Sequence, residues 1–321
     1  MKEIKGIKQG ISLKNYTTFK IGGKAKYFTE IKNLQELKQV IQWAKENHLP
    51  FFILGNGSNV LFSDFGYRGI VIKINNATLK KNNQNTILVG AGLSLGEFLQ
   101  KCIKNRWVGY EWMAGIPGTI GGAIYGNAGA FGNETKNFIK KVITLNPRNF
   151  KIKHYLLSQC KFGYRESIFK KNKEIILAAE FKVKKGNQTA IQKMIQENWQ
   201  YKIQHQMFKY PSAGSVFKNI IIKETPYQKA YNAKKQFVKI KGEEIQVKGG
   251  KISAGWFIEK CNLKGKIYGG AKISDFHTNV IINFKQAKAK EVLFLINLIK
   301  KSVWKKFQIK LEEEIVVVSD F

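Results

Sequence analysis

Gly115-Ile116-Pro117-Gly118-Thr119-Ile120-Gly121-Gly122-Ala123-Ile124-Tyr125-Gly126-Asn127-Ala128-Gly129-Ala130-Phe131-Gly132 is the stretch that decides the fold. Solvent-facing loops seldom keep so many small residues beside Ile and Ala. Backbone this crowded suits a long flat ligand or a pyrophosphate lying against the main chain. The alternative is a tight loop packed on itself.

Upstream lies a second glycine segment, Leu54-Gly55-Asn56-Gly57-Ser58-Asn59, which follows the apolar run Phe51-Phe52-Ile53-Leu54. Its glycines allow successive N–H groups to converge on a phosphate, and Ser58 and Asn59 add donors. The spacing is neither Gly-x-Gly-x-x-Gly nor a Walker A sequence, so an ordinary turn stays open. Two such segments, each beside apolar structure, together suggest a bound dinucleotide cofactor without specifying which.

Outward from these segments the chain reads as alternating strands and helices. Short strands are expected over 17–31 around Gly22-Gly23. A helix capped by Asn33 should carry Leu34, Leu37, Val40, Ile41 and Ala44 on one face. Strands are expected at 51–54, 69–74, 86–91, 139–145 and 174–183, with a helix from Leu95 to Ile103. A helix over 189–200 should bury Ile191, Met194, Ile195 and Trp199. The longest helix, 287–304, should bury Val292, Leu295, Ile296, Ile299 and Val303. The last strand is Glu314–Val318. Residues 220–250 are Lys-rich and weakly patterned and read as an insertion with a hairpin at 236–247.

The chain has 321 residues, enough for two or three domains. A hydrophobic fraction of 44% excludes a fully disordered chain. No apolar run reaches membrane-span length, and the start has no apolar signal region. Cys102, Cys160 and Cys261 form no close pair, so neither a disulfide framework nor a zinc motif is expected. The net charge of +33 is almost all Lys, with four Arg, and is scattered. A dedicated nucleic-acid surface usually gathers its charge on one face and uses Arg. Lys-rich composition is therefore the reading of the charge, with general attraction of nucleotides and diphosphates as its functional side.

Three polar groups could carry chemistry. Arg165 sits in Phe162-Gly163-Tyr164-Arg165-Glu166-Ser167; its planar fork could hold a carboxylate, stabilise an enolate, or form a structural salt bridge. Ser215, in Gly214-Ser215-Val216-Phe217-Lys218-Asn219, lies in no hydrolase elbow. It reads as a turn residue or as a proton donor beside a developing carbanion. In Leu311-Glu312-Glu313-Glu314-Ile315, alternation puts Glu312 and Glu314 on one face, as a general acid or as a solvated strand end.

Taken in order, these motifs resemble the UDP-N-acetylenolpyruvoylglucosamine reductase family, also called the UDP-N-acetylmuramate dehydrogenases. Further matches are residues 15–25, Ala254-Gly255-Trp256-Phe257-Ile258-Glu259, residues 269–274 and His277-Thr278-Asn279. The resemblance implies an α+β protein. It would have a vanillyl-alcohol-oxidase-type (PCMH-type) FAD-binding domain of two α/β subdomains, at 1–75 and 76–207. A C-terminal α/β substrate-binding domain would follow at 208–321, with the insertion at about 220–250. The family's shorter class, which lacks a tyrosine loop, is the nearer match.

The implied reaction is NADPH-dependent reduction, through bound FAD, of the enolpyruvyl ether of a UDP-sugar to UDP-N-acetylmuramate. This is a step of peptidoglycan precursor synthesis. The resemblance assigns catalysis to Arg165, Ser215 and Glu314, with Glu312 as the fallback acid. It gives the cofactor Gly55, Asn56, Gly57, Ser58, Asn59, Gly115, Pro117, Gly118, Thr119, Gly121, Gly122, Asn127 and Ala128. It gives the substrate Tyr164, Lys218 and Asn219. A cytoplasmic monomer is expected, with no metal, no nucleic acid and no membrane insertion.

The chain departs from the family pattern at Asn56, Val108-Gly109-Tyr110-Glu111, Met207, Ile220 and Thr278. Two competing readings remain. One is another oxidoreductase of the same flavin fold; the other is a basic nucleotide-binding protein whose site is idle.

Overall fold

A computed structural model describes residues 6–83, 85–204, 209–232 and 236–318. The expected boundary at 207/208 and the departure at Met207 lie outside the described residues.

The first sheet orders its strands Lys8–Ser12, Lys24–Ile31, Tyr67–Ile74 and Phe51–Leu54. The first pair is antiparallel and the other two are parallel. The helix Leu34–Glu46 crosses between Lys24–Ile31 and Phe51–Leu54. Asn33 caps it by accepting from the Glu36 N–H at 2.9 Å. Leu37, Val40, Ile41, Trp43 and Ala44 are buried on this helix. The expected strand over 17–31 forms only from Lys24. Residues 17–23 are bend, turn and irregular backbone instead, and Gly23 packs where a side chain would strike the Asp64 carbonyl oxygen at 2.3 Å.

The second sheet is antiparallel, in the order Ile152–Leu156, Ile139–Leu145, Ile175–Lys182, Thr86–Gly90 and Leu79–Asn83. The helix Leu95–Asn105 begins with a capping box of Ser94 and Glu97 and buries Phe98, Leu99 and Cys102. One apolar core, running from Tyr27 to Ile195, joins both sheets. The helix Gln188–Gln204 buries Ile191 and Ile195 as expected, but Met194 and Trp199 are 51% and 42% exposed. This helix presents a narrow stripe to a flat surface, so a four-residue apolar face was too wide.

The third sheet is Ser212–Ser215, Val280–Asn283, Ala271–Ile273 and Ile267–Tyr268, all antiparallel. Against it lie the helices Ala254–Lys260 and Ala289–Phe307. Val292, Leu295, Ile296, Ile299 and Val303 are all buried, so the 3.6-residue period read correctly. Asp64 reaches across from the first unit to cap this helix, accepting from the Ala289 and Lys290 N–H groups at 2.7 and 3.0 Å. A carboxylate on the first two free amides of a helix also meets the positive end of its dipole.

Residues 220–250 contain the expected hairpin, Phe237–Ile240 paired with Glu243–Gln246. Val238, Ile240, Ile245 and Val247 are buried in the third core, so this segment is part of the domain's packing. Its two ends are tied by pairing of Ile220–Ile221 with Lys251–Ile252.

The chain then returns to its beginning. Val316–Val318 pairs in parallel with Val60–Phe62, directly after the second glycine segment. The strand is shorter than the expected 314–318, and the three glutamates precede it. Among the described residues, no helix is long and apolar enough to cross a membrane, and no cluster of metal-ligating side chains occurs.

Candidate active site

The two glycine segments meet. The Asn56 side-chain amide donates to the Gly118 carbonyl at 3.2 Å, and a Cβ at Gly55 would sit 2.6 Å from Thr119 Oγ1. A Cβ on Gly118 would lie 3.7 Å from Ser58 Oγ. Gly57 has φ +62°, and a Cβ there would lie 2.1 Å from the Tyr16 carbonyl oxygen. Gly121 is packed against Ala91, and its N–H donates to the Ala91 carbonyl at 2.8 Å. Thr119 caps the short helix Ile120–Tyr125 by accepting from Gly122 N–H. Residues 55–59 and 115–122 thus form one cradle of small residues in which added side chains would clash, a backbone surface suited to a flavin nucleotide's diphosphate. The residues fit that group.

Asn127 and Ala128 follow the cradle and are likewise engaged within the protein. Asn127 is fully buried, with φ +41°. Its amide donates to Glu134 at 2.9 Å and to the Gly163 carbonyl at 2.7 Å, and accepts from Lys136 N–H at 3.1 Å. Ala128 N–H donates to Ala123, and its carbonyl accepts from Thr135. The polar groups of this pair fasten protein to protein.

What Asn127 fastens is the arginine loop. Gly163 and Glu166 exchange backbone hydrogen bonds at 3.0 and 3.2 Å, leaving Tyr164 and Arg165 as a two-residue turn. Arg165 has φ +55°, an uncommon conformation for a side-chain-bearing residue. From this turn its Nε donates to Glu314 Oε1 at 2.6 Å and its terminal nitrogen to the Gly129 carbonyl at 2.8 Å. Both side chains of the ion pair are about one-fifth exposed, at 20% and 19%. Burial pushes the Glu314 carboxyl above the ordinary glutamate range, although the Arg165 guanidinium pulls the other way.

Glu314 is held by its backbone too. Its N–H donates to the Val216 carbonyl at 2.8 Å, and its carbonyl accepts from the Asn59 side chain at 3.0 Å. Val216 directly follows Ser215, which ends the strand Ser212–Ser215. Arg165, Glu314 and the serine motif therefore converge, within reach of the glycine cradle through Asn59. Glu312 goes elsewhere: it accepts from Lys218 at 2.6 Å and is 71% exposed. Glu313 turns to Lys300 at 2.9 Å, as the alternation expected.

Lys218 is buried and also meets Glu166 at 2.7 Å. Burial lowers its tendency to hold a proton, but the hydrogen bonds that its ammonium donates to Glu166 and Glu312 outweigh it, so its pKa is raised. The Tyr164 hydroxyl accepts from the Asn219 N–H at 3.1 Å. Tyr164, Lys218 and Asn219 line a cavity of about 510 Å³. Sequence reasoning missed two partners here. Lys251 lies 4.6 Å from the Tyr164 ring centroid, and Lys170 donates to the Arg165 carbonyl at 2.6 Å. Neither stands in a motif, so only proximity to Arg165 in the folded chain reveals them.

The family model described as UDP-N-acetylenolpyruvoylglucosamine reductase, C-terminal domain, matches residues 205–318, and one described as FAD binding domain matches residues 25–148. A UDP-N-acetylenolpyruvoylglucosamine reductase of Alkaliphilus oremlandii is 37% identical over 309 residues, covering 96% of this chain and 92% of the relative.

The chain belongs to the UDP-N-acetylenolpyruvoylglucosamine reductase family.

A second such reductase, of Carboxydothermus hydrogenoformans, is 36% identical over 311 residues, covering 96% and 92%. The crystal structure of the family's enzyme from Thermus caldophilus superposes with a TM-score of 0.75 at 29% identity, covering 97% of this chain and 98% of that one. The fold is the α+β arrangement expected: a PCMH-type FAD-binding domain and a C-terminal substrate domain. Members of this family are FAD-dependent oxidoreductases, and this chain is one of them.

Proposed function

We propose that this chain reduces UDP-N-acetyl-3-O-(1-carboxyvinyl)-glucosamine to UDP-N-acetylmuramate with NADPH, in the peptidoglycan precursor route. The observation that carries the reading is the convergence of Arg165, Glu314 and the Ser215 motif beside the glycine cradle. Bound FAD supplies hydride carriage from NADPH to the terminal vinyl carbon.

The chain's own residues supply the rest. Residues 55–59 and 115–122 hold the cofactor's diphosphate. Arg165, fixed by Glu314 and Gly129, aims a permanent charge at the carbon α to the substrate carboxylate, where negative charge develops. Ser215 donates the proton to that carbon, so hydride and proton together saturate the double bond. Glu314 orients the guanidinium, and its raised pKa lets it share in the proton's delivery. Glu312 is the weaker candidate because it is exposed and paired with Lys218. Tyr164, Lys218 and Asn219 hold the nucleotide side of the substrate. The reading includes three units at 1–75, 76–207 and 208–321 and action as a cytoplasmic monomer.

An anaerobic experiment tests it. NADPH should bleach the flavin, and the enolpyruvyl sugar nucleotide should restore its absorbance. A protein that stays colourless after FAD is added back, or a reduced flavin indifferent to the substrate, defeats the reading.

A further inference from the structure

The segment that interrupts the serine motif and the Ala254–Lys260 helix lines the same cavity as Tyr164, Lys218 and Asn219. Thr225 and Pro226 contribute one side, and Trp304, Gln308 and Lys310 contribute another from the end of the long helix. A hydrogen bond joins the two sides: the Tyr227 hydroxyl donates to the Phe307 carbonyl at 3.1 Å. Thr225 stiffens the approach, donating to the Ile222 carbonyl at 2.8 Å and accepting from Tyr227 N–H at 3.2 Å.

The helix Ala289–Phe307 buries its apolar stripe against the third sheet, while Trp304, like Phe294, is 44% exposed; of the two, Trp304 lines the cavity. The Lys310 ammonium lies 5.6 Å from its ring centroid. A half-exposed indole with a cation over its ring, a proline on the lining of the same cavity and the carboxylates of Glu166, Glu224 and Glu312 form a surface for a flat ring with polar edges.

Resting on the proposed function, we propose that the insertion builds the nucleoside end of the substrate cavity, with Trp304 and Pro226 packing the pyrimidine ring. The direction of the cavity supports this. Tyr164 lines the cavity and its ring centroid lies 5.3 Å from the Arg165 guanidinium carbon, so an ether reacting at the arginine would have its nucleotide in the cavity. Tyr227 is a positioning residue that keeps the insertion against the helix.

The test uses the full-length holoenzyme and measures steady-state kinetics with the enolpyruvyl sugar nucleotide, together with equilibrium binding of UDP. Trp304→Ala should raise the KM for the sugar nucleotide and weaken UDP binding about tenfold or more, with kcat changed far less. Trp304→Phe should restore most of both. Tyr227→Phe should raise the same KM more modestly. The rate of flavin reduction by NADPH serves as the internal control and should hold in all three. Trp304→Gln accompanies the alanine variant, so that a folding failure in one leaves the other. An unchanged KM in a folded, flavin-loaded variant, or an equal fall in both half-reactions, overturns the proposal. A wild-type protein that never turns over the sugar nucleotide defeats the functional reading itself; a wild type that does, with an indifferent Trp304, defeats this inference alone.

Discussion

Arg165 and Glu314 are 149 positions apart in sequence, yet the guanidinium Nε donates to the carboxylate at 2.6 Å. The pair is gripped from both sides: Asn127 holds the loop of one through Gly163, and Asn59 holds the backbone of the other. Each partner is thereby fixed by a residue of the flavin-binding half.

Replacing Arg165 with Lys keeps the charge and loses the fork. A single ammonium cannot reproduce the guanidinium's directed bonds to Glu314 and to Gly129 at once. Substrate-driven reoxidation of the reduced flavin should slow about a hundredfold or more. Reduction by NADPH should change only a few-fold. Stopped-flow absorbance of the two half-reactions checks this.

Ser215→Ala should separate the half-reactions in the same way, with reduction largely intact and reoxidation severely slowed. Equal loss of both would remove the serine from the proton-donor role.

Asn127→Ala should destabilise the protein by about 2–4 kcal/mol, because it leaves buried donors and acceptors unpaired. The loss should appear as a lower denaturant midpoint. Since Asn127 holds the Gly163 carbonyl, flavin reoxidation should slow as well, although its side chain touches no reacting group.

Lys202 gives a pH test. It is buried with its ammonium donating to the Ala114 carbonyl, and burial lowers its pKa from 10.5 to about 8. The unfolded chain therefore holds more protons than the folded one between pH 8 and 10.5, and this group's contribution to stability rises with pH across that window. The stability of the wild type relative to Lys202→Met should increase from pH 8 to pH 10. Paired urea titrations at the two pH values measure it, and a flat difference would refute the assignment.

Gly57→Ala places a side chain at φ +62° with its Cβ 2.1 Å from the Tyr16 carbonyl oxygen. The strain alone is about 1–3 kcal/mol. Relief requires the loop to shift from the Tyr16–Thr17 backbone, which disturbs its fit to residues 115–122, so the purified variant should carry less flavin per chain, read from its visible spectrum.

Much of this was legible in the sequence. The helices at 34–46, 95–105 and 289–307 followed from apolar spacing and, in the first, from a capping residue, since both are local effects. The glycine segments announced backbone crowding because only glycine tolerates it. Errors came where a local rule met a tertiary constraint. Met194 and Trp199 had the right spacing but stay 51% and 42% exposed. The amide of Asn127 ties three segments together, a tertiary role that its glycine-run setting does not display.

The sequence by itself determined the family, the elements and the chemical types available: a permanent cation, a hydroxyl, paired glutamates and two glycine cradles. It could not choose between Glu312 and Glu314, because alternation gives both the same face. The tertiary structure gives the two different partners: Glu314 pairs with Arg165 just before Val316–Val318 joins Val60–Phe62, and Glu312 stays exposed beside Lys218. That decision depends on where a distant strand ends, and on the burial that follows. Neither quantity is encoded in the spacing of the glutamates themselves.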